Sequence, residues 1–232
     1  MKAFRSLAIM ISVGFVLAGC AGAPQQQDIS AASTMTRPKD IHPESLSRLP
    51  LPKREELDLQ GKRIYDSVTD PKRQTLAGFQ GPAGIWVHSP RLGEPIREFN
   101  RILRNEVALE PRLRELAILV TARELDNQFE WTTHEPVALK AGLDAKTLDI
   151  VKHRRAVSGV PERESAIIRF GREIFRDKKV RSETYADMVG AFGQQSVVDI
   201  TALMANYALT AVMLTAFDQQ LHAGRKPLLP LP

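Results

Sequence analysis

Apolar residues recur every three or four positions along most of the sequence after residue 53, which is the period of a helix with one buried face. This spacing predicts helices over residues 53–70, 96–107, 112–125, 144–156, 162–176, 182–192 and 196–217. A further helix is predicted to contain Trp131 and Val137 and to end at Gly142, which suits a left-handed cap. No segment alternates apolar and polar residues for long enough to build a sheet. The pattern therefore predicts an all-α fold.

Three segments depart from this regular pattern. Residues 21–46 are rich in Gln, Ser, Ala, Thr and Pro, which predicts a flexible tether. Residues 75–95 are rich in Gly and Pro, which predicts a loop. Because this loop contains Trp86 and His88, one interpretation is that it folds over a site. The alternative is that Trp86 closes the edge of the core and His88 caps a backbone group.

The C-terminal part of the sequence is strongly apolar. Residues 196–217 are long enough to suggest a membrane span, but Asp199, Asn206 and several threonines favour a central bundle helix or an oligomer contact. The tail from Lys226 to Pro232 is apolar and extended. We expect the tail to lie on its own subunit or on a neighbouring one.

The N-terminus is typical of a bacterial secretory signal. Lys2 and Arg5 precede an apolar run over residues 7–17, and Leu-Ala-Gly then precedes Cys20. This arrangement resembles a lipoprotein signal, in which the cysteine is lipidated and becomes the first residue of the mature protein. A plain signal peptide or a short membrane anchor is the alternative.

The expected organisation is a signal peptide over residues 1–19, lipidated Cys20 with its tether over residues 20–46, and one domain over residues 47–232. Ala21, in place of Asp, follows the cysteine. In Gram-negative lipoproteins an Asp there tends to retain the protein at the inner membrane. We therefore expect an exported protein whose lipid on Cys20 holds it at the periplasmic face of the outer membrane.

Composition limits the chemistry that the chain can perform. With 232 residues, 43% apolar and 25% charged, the sequence suits one globular domain with a good core. Cys20 is the only cysteine, which excludes a disulfide, a CxxC redox pair and a cysteine metal cluster. The formal net charge of +5 includes Lys2 and Arg5 of the signal, and the other basic residues are scattered. No nucleic-acid partner is therefore expected.

Residues 112–142 contain two carboxylates and a histidine that stand out as candidate chemistry. Glu115 has apolar helical neighbours, so its carboxylate is expected to be partly desolvated. A buried ion pair with Arg123 is the structural alternative to a functional role for Glu115. Glu130 and His134 are four residues apart and share a face if both lie on one helix.

A carboxylate on one imidazole nitrogen fixes the tautomer and leaves the other nitrogen free for proton transfer. Glu130 and His134 are the smallest such unit in this sequence. Pro136 leaves their relationship open, because a helix that begins only at Thr133 would separate Glu130 from His134.

The run ExxILxxAR, followed by EWxxHxxxAxxxGL and preceded by His-Ser-Pro at residues 88–90, resembles the carboxymuconolactone decarboxylase family of the AhpD-like fold. The resemblance covers about residues 49–217. It implies an all-α helical bundle of about six to eight helices that assembles as a homotrimer or hexamer, with the site near a subunit boundary.

The peroxidase branch of that fold resembles this chain through a pattern of Glu, eleven residues, Cys, two residues, Cys, three residues and His. Laid on this sequence, the pattern falls on Glu115, Asn127, Glu130 and His134, so both cysteine positions are lost. A peroxidase of that type needs one thiolate to attack the peroxide and a second thiol to resolve the product. Thiol peroxidase chemistry is therefore excluded, and the chain looks like the decarboxylase branch.

The resemblance implies a carboxy-lyase or lactone-processing enzyme for a small anionic organic substrate, without a cofactor or a metal. The implied catalytic residues are Glu115, Glu130 and His134. The residues expected to bind substrate are Arg123, His88, Trp86 and Trp131.

Three alternatives stay open at this point. The chain could be a non-catalytic binding or assembly lipoprotein on the same scaffold. His134, Glu130 and Glu115, with or without His88, could form a metal site, although such a donor set matches few recurrent metal sites. Finally, these side chains could be a polar cluster that is satisfied inside the bundle.

Overall fold

The structure is a computed structural model that describes residues 38–72 and 76–231. The predicted signal peptide, Cys20 and residues 20–37 of the predicted tether lie outside the described residues. Within the described residues the chain is all helical, with eight α-helices and no strand. The helices are α1 (Leu59–Thr69), α2 (Pro82–Trp86), α3 (Pro90–Asn105), α4 (Pro111–Glu124), α5 (Gln128–Lys140), α6 (Ala145–Lys152), α7 (Glu162–Arg172) and α8 (Ser182–Ala216). The predicted all-α fold class is confirmed.

Helix α4 lies at the centre of the bundle. It packs against α5, α7 and α8, and its residues from Leu113 to Arg123 are buried apart from Arg114. Such all-round burial explains why α4 lacks a wide polar face. The main apolar cluster joins α4 to the inner faces of α7 and α8, through residues such as Leu116, Ile167 and Ile200.

The segment predicted as a loop over residues 75–95 is partly helical. Pro82 begins α2 and Pro90 begins α3. Proline suits the first position of a helix, where its missing N–H has no helical partner to bond. A high proline content therefore marks helix starts here rather than a continuous loop, and α3 begins six residues before the predicted start at Ile96.

Helix α8 contains a kink at Gly193. This glycine has φ 79° and ψ 158°, a backbone conformation that is almost confined to glycine. The kink divides α8 at the break that the sequence predicts between residues 192 and 196. At the end of α7, residues Glu173–Asp177 form a π-helical turn, which completes the predicted helix over residues 162–176.

Among the described residues, α8 is the one helix that is long and apolar enough to cross a membrane. Half of its most apolar 18-residue window is buried inside the molecule. Its contacts with α4 and α7 are those of a core helix of a bundle.

Both ends of the described chain pack on the bundle. Ile41 and Leu46 are buried, and the Arg48 N–H donates to the carbonyl of Phe217 at 2.9 Å. The packed chain therefore begins before the expected domain start at residue 47. In the C-terminal tail Leu229 is buried, and the Leu228 N–H donates to Thr132 Oγ1 at 3.2 Å. The tail thus lies on its own subunit, one of the two expected positions.

Candidate active site

Asn127 determines where the helix α5 begins. Its side-chain oxygen accepts a hydrogen bond from the Glu130 N–H at 2.9 Å, which caps the helix at Gln128. Pro136 therefore lies inside α5 and not in its first turn. Glu130 and His134 consequently lie on the same helix, one turn apart.

His134 lies between two glutamates. Its Nδ1 is 2.7 Å from Glu115 Oε2, and its Nε2 is 3.3 Å from Glu130 Oε2. Each of the three side chains is about 95% buried or more. The three predicted catalytic residues are thus brought together, with one carboxylate at each ring nitrogen.

Burial and hydrogen bonding act in opposite directions on the pKa of His134. Burial lowers the pKa, but the contacts with Glu115 and Glu130 outweigh it, so the pKa of His134 lies above its ordinary value of 6.5. Burial likewise raises the pKa of Glu115, but His134 and the nearby Arg104 lower it further, below the ordinary 4.5. The cluster therefore favours an imidazolium beside an ionised Glu115.

Arg104 and Tyr207 complete this cluster from α3 and α8. Arg104 donates to Glu115 Oε1 at 3.1 Å and to the Tyr207 hydroxyl at 2.7 Å. The Tyr207 ring meets the His134 ring edge to face, with 5.2 Å between their centroids. Neither residue is among the predicted site residues. The signal that could identify Tyr207 is its polar group, next to Asn206, in an otherwise apolar stretch of α8.

A cavity of about 1030 Å³ opens beside the cluster. Glu130, His134, Arg104 and Tyr207 line it together with Asn206. The Asn206 amide nitrogen donates to Asn100 Oδ1 at 3.1 Å, whereas its buried Oδ1 has no hydrogen-bond partner among the described residues. The buried end of the cavity is therefore polar and contains both ionisable side chains and hydrogen-bond donors.

The outer part of the cavity is lined by exposed ion pairs. Arg63 pairs with Glu94 at 3.2 Å, and Arg101 pairs with Glu98. Because these charges largely cancel, they give the opening no strong sign of its own.

The predicted substrate-binding residues do not all reach this cavity. Trp86 lines it. The Trp131 indole is fully buried and donates to Glu135 within α5. His88 Nε2 donates to the carbonyl of Pro50 at 2.8 Å, as in the predicted alternative of a backbone cap.

Arg123 also lies away from the cavity, and it does not pair with Glu115. It contacts Asp126 at 3.1 Å and donates to the carbonyl of Pro230 at 2.8 Å. Arg123 lies eight positions after Glu115 on the same helix, which corresponds to about 12 Å along the axis. The alternative of a Glu115–Arg123 ion pair is therefore wrong, and Arg104 is the arginine that contacts Glu115.

In residues 38–72 and 76–231 no group of three or more His, Cys, Asp or Glu side chains is arranged to hold a metal ion. The geometry around His134 gives a physical reason. Glu115 and Glu130 lie at different nitrogens of one ring, so the three side chains do not converge on a common point.

Residues 90–170 match the profile of the carboxymuconolactone decarboxylase family. The matched segment contains Glu115, Glu130, His134 and Arg104, while Tyr207 lies beyond it. No curated protein sequence matches the chain.

Solved structures with the same fold include the alkylhydroperoxidase AhpD core of an uncharacterized peroxidase-related protein from Ralstonia eutropha JMP134. It is 18% identical, with a TM-score of 0.61 over 80% of this chain and 99% of that chain. The debrominase Bmp8, as a Cys-to-Ala variant in complex with 2,3,4-tribromopyrrole, is 14% identical, with a TM-score of 0.59 over 75% of this chain and 90% of that chain. Residues 90–170 therefore belong to the carboxymuconolactone decarboxylase family, and the chain that contains them has the AhpD-like fold.

Proposed function

We propose that this protein is an acid/base enzyme that moves a proton on a small anionic organic substrate, as a carboxy-lyase or a lactone-processing enzyme. The observation that supports this proposal is the position of Glu130. Its carboxylate lies 3.3 Å from His134 Nε2 and also lines the cavity, so it connects the buried imidazole to the space where a substrate would bind.

The two glutamates have different roles in this proposal. Glu115 accepts from His134 Nδ1 and is shielded from solvent, so it orients the ring and stabilises its positive charge. Glu130 exchanges a proton with the substrate carbon, and His134 exchanges a proton with Glu130. Proton transfer of this kind needs no thiol, which agrees with a sequence whose only cysteine is Cys20.

The charges around His134 favour an anionic substrate. Glu115 and Glu130 each contribute −1 when ionised, whereas Arg104, Arg114 and protonated His134 each contribute +1, so the five groups sum to +1. Arg104 is 25% exposed and lines the cavity, so it is the cation that can contact a substrate anion there, in place of Arg123.

Purified protein should be screened with carboxylated lactones and β-keto acids, with carbon dioxide release as the measurement. We expect Glu130→Gln and His134→Ala to lower kcat/KM by about 100-fold or more, because general acid/base catalysis contributes this much. Glu162→Gln changes an exposed glutamate at the start of α7 and serves as the matched control. Wild-type turnover that both site variants retain would reject the proposal.

A binding or assembly role on the same scaffold is the second candidate function. The exposed side of α8 presents Val198, Leu209 and Val212, of which Val198 is 67% exposed and Val212 60%. Exposed apolar side chains in such a row support contact with another subunit, as expected for a homotrimer or hexamer. Under the assembly role, Val212→Glu should lower the mass measured by light scattering, while His134→Ala should assemble like the wild type.

We also propose that a lipid on Cys20 attaches the protein to the outer membrane at its periplasmic face. The Leu-Ala-Gly-Cys sequence and the alanine that follows it support this. Cys20→Ser should move the protein from the membrane fraction, and a wild-type protein that is soluble after export would contradict the proposal.

A further inference from the structure

We propose that Tyr207 and Arg104 form an oxyanion-binding pair, which stabilises the enolate formed when a carboxylate leaves the carbon next to a carbonyl group or the corresponding vinylogous carbon. This inference rests on the proposed proton transfer at Glu130, and it assigns a role to two residues on α8 and α3.

The hydrogen bonding around Tyr207 leaves a donor for a ligand. Tyr207 accepts a hydrogen bond from Arg104, so the hydrogen of its own hydroxyl is not used in that contact. Arg104 has five N–H donors, and its contacts with Tyr207 and Glu115 use one N–H each. A ligand oxygen can therefore receive hydrogen bonds from both side chains.

Glu115 holds Arg104 in place before any ligand arrives. The same carboxylate contacts Arg104 through Oε1 and His134 through Oε2. The guanidinium and the imidazole are thus fixed relative to each other by one side chain. Donors that are fixed in advance stabilise developing charge with little reorganisation, which is the basis of oxyanion sites.

Protonation states agree with this role. Burial raises the pKa of Tyr207 well above its ordinary value, so the phenol remains a hydrogen-bond donor at neutral pH. Burial lowers the pKa of Arg104, but Tyr207 and Glu115 raise it by more, so the guanidinium remains charged.

The pair and the proposed proton carrier line one cavity. The Tyr207 ring lies 5.2 Å from the His134 ring, and Glu130 is one helical turn from His134. A small molecule can therefore place a carbon at Glu130 and a carbonyl oxygen at Tyr207 and Arg104.

The reaction then proceeds in two steps. The carbon–carbon bond to the carboxylate breaks, carbon dioxide leaves, and the electron pair moves onto the carbonyl oxygen, where Tyr207 and Arg104 bind the enolate. Glu130, protonated from His134, then delivers one proton to the carbon, and the enolate returns to the ketone. A proton taken up from solvent then restores His134 and balances the one that the product has taken. The geometry thus points to β-keto acids and their vinylogous counterparts as the substrate class.

The test uses 4-nitrophenol, because its phenolate resembles an enolate and absorbs at a different wavelength from the neutral phenol. We expect the full-length protein to bind the phenolate form. Tyr207→Phe and Arg104→Lys should each weaken that binding by about 10-fold or more, the loss expected for a hydrogen bond to a charged group. Tyr185→Phe, at a half-exposed tyrosine of the same helix, should bind like the wild type.

Circular dichroism and thermal unfolding of each variant separate loss of the site from loss of the fold. Unchanged phenolate binding in a folded Tyr207→Phe variant, or wild-type binding of the neutral phenol alone, would overturn the inference.

The proposed function is judged by the Glu130→Gln assay instead. If Glu130→Gln lacks turnover and Tyr207→Phe binds phenolate normally, the oxyanion pair is rejected and the proton transfer stands. If phenolate binding depends on Tyr207 but no keto acid is turned over, the oxyanion pair stands and the proton transfer is rejected.

Discussion

Glu130 Oε2 lies 3.3 Å from His134 Nε2, on the side of the imidazole opposite to Glu115. The sequence predicts that one carboxylate orients the ring and that the second nitrogen is free. Instead both nitrogens have a carboxylate neighbour, and of the two carboxylates it is Glu130 that lines the cavity. Glu115, predicted as a catalytic residue, lies behind the ring as its orienting partner.

Glu115→Gln should destabilise the protein because it leaves Arg104 and His134 without their shared anion. Removing one member of a buried ion pair typically costs about 3–5 kcal/mol, and the partial exposure of Arg104 places the expected loss at the lower end of this range. Urea denaturation near pH 6 measures this loss in the free energy of unfolding. Glu183→Gln, at an exposed position in the first turn of α8, should leave the free energy of unfolding unchanged. Equal stability of the two variants would show that the cluster does not stabilise the fold.

The stability of the protein should depend on pH through the same pair. The pKa of His134 is raised, so its contribution is present below its ordinary 6.5 and is lost as the pH rises through the raised value. The pKa of Glu115 is lowered, so its contribution is present above its ordinary 4.5 and is lost as the pH falls through the lowered value. We therefore expect the contribution of this pair to be greatest between pH 4.5 and pH 6.5.

Urea denaturation of wild type and His134→Ala across this range measures the dependence. The destabilisation caused by His134→Ala should shrink as the pH rises above 6.5. His153→Asn, on the exposed end of α6, should show the wild-type profile. A destabilisation by His134→Ala that is constant from pH 5 to pH 9 would contradict the assigned direction of the shift.

Gly193→Ala should destabilise the bundle because Gly193 has φ 79° and ψ 158°. A side chain in this conformation costs about 1–3 kcal/mol, although a Cβ there would meet no neighbouring atom. Gly190→Ala is the matched control, since a Cβ at Gly190 also meets no neighbour and its backbone is helical. We expect Gly190→Ala to stabilise by up to about 1 kcal/mol. Thermal unfolding would contradict this if both variants shifted in the same direction.

Leu229→Ala should lower the free energy of unfolding by about 2–5 kcal/mol, since Leu229 is buried in the main apolar cluster. Leu231→Ala, two residues further along the same tail, removes a half-exposed side chain and should have little effect. Chemical denaturation compares them. If the two losses are equal, the tail does not belong to the core in solution.

The helices could be predicted from the sequence because their apolar faces repeat with a helical period. Residues 162–176 form α7 and its π-helical turn, and the break in α8 lies at Gly193 as predicted. Periodicity is less informative for short helices that begin with proline, which is why α2 and the first turns of α3 are predicted as loop. The helix predicted over residues 112–125 is confirmed as α4, although its burial leaves it without a wide polar face.

Local spacing could predict part of the site as well. The spacing of Glu130 and His134 places them on one face because Asn127 begins the helix before them. The contact of His134 with Glu115 follows from the packing of α4 on α5. Arg104 and Tyr207 lie 103 positions apart and meet through the packing of α3 on α8, which no local pattern encodes. This is also why Arg123, rather than Arg104, is predicted to hold a substrate.

The burial of His134 has a consequence for isotopes. Since the ring is about 95% buried and each nitrogen has a carboxylate neighbour, hydrogen held there has little direct contact with bulk water. Protein transferred from light water into deuterium oxide just before it meets substrate would therefore deliver protium to the substrate carbon in its first turnover. Protium in the first product and deuterium in later products would be the signature of a proton held at His134.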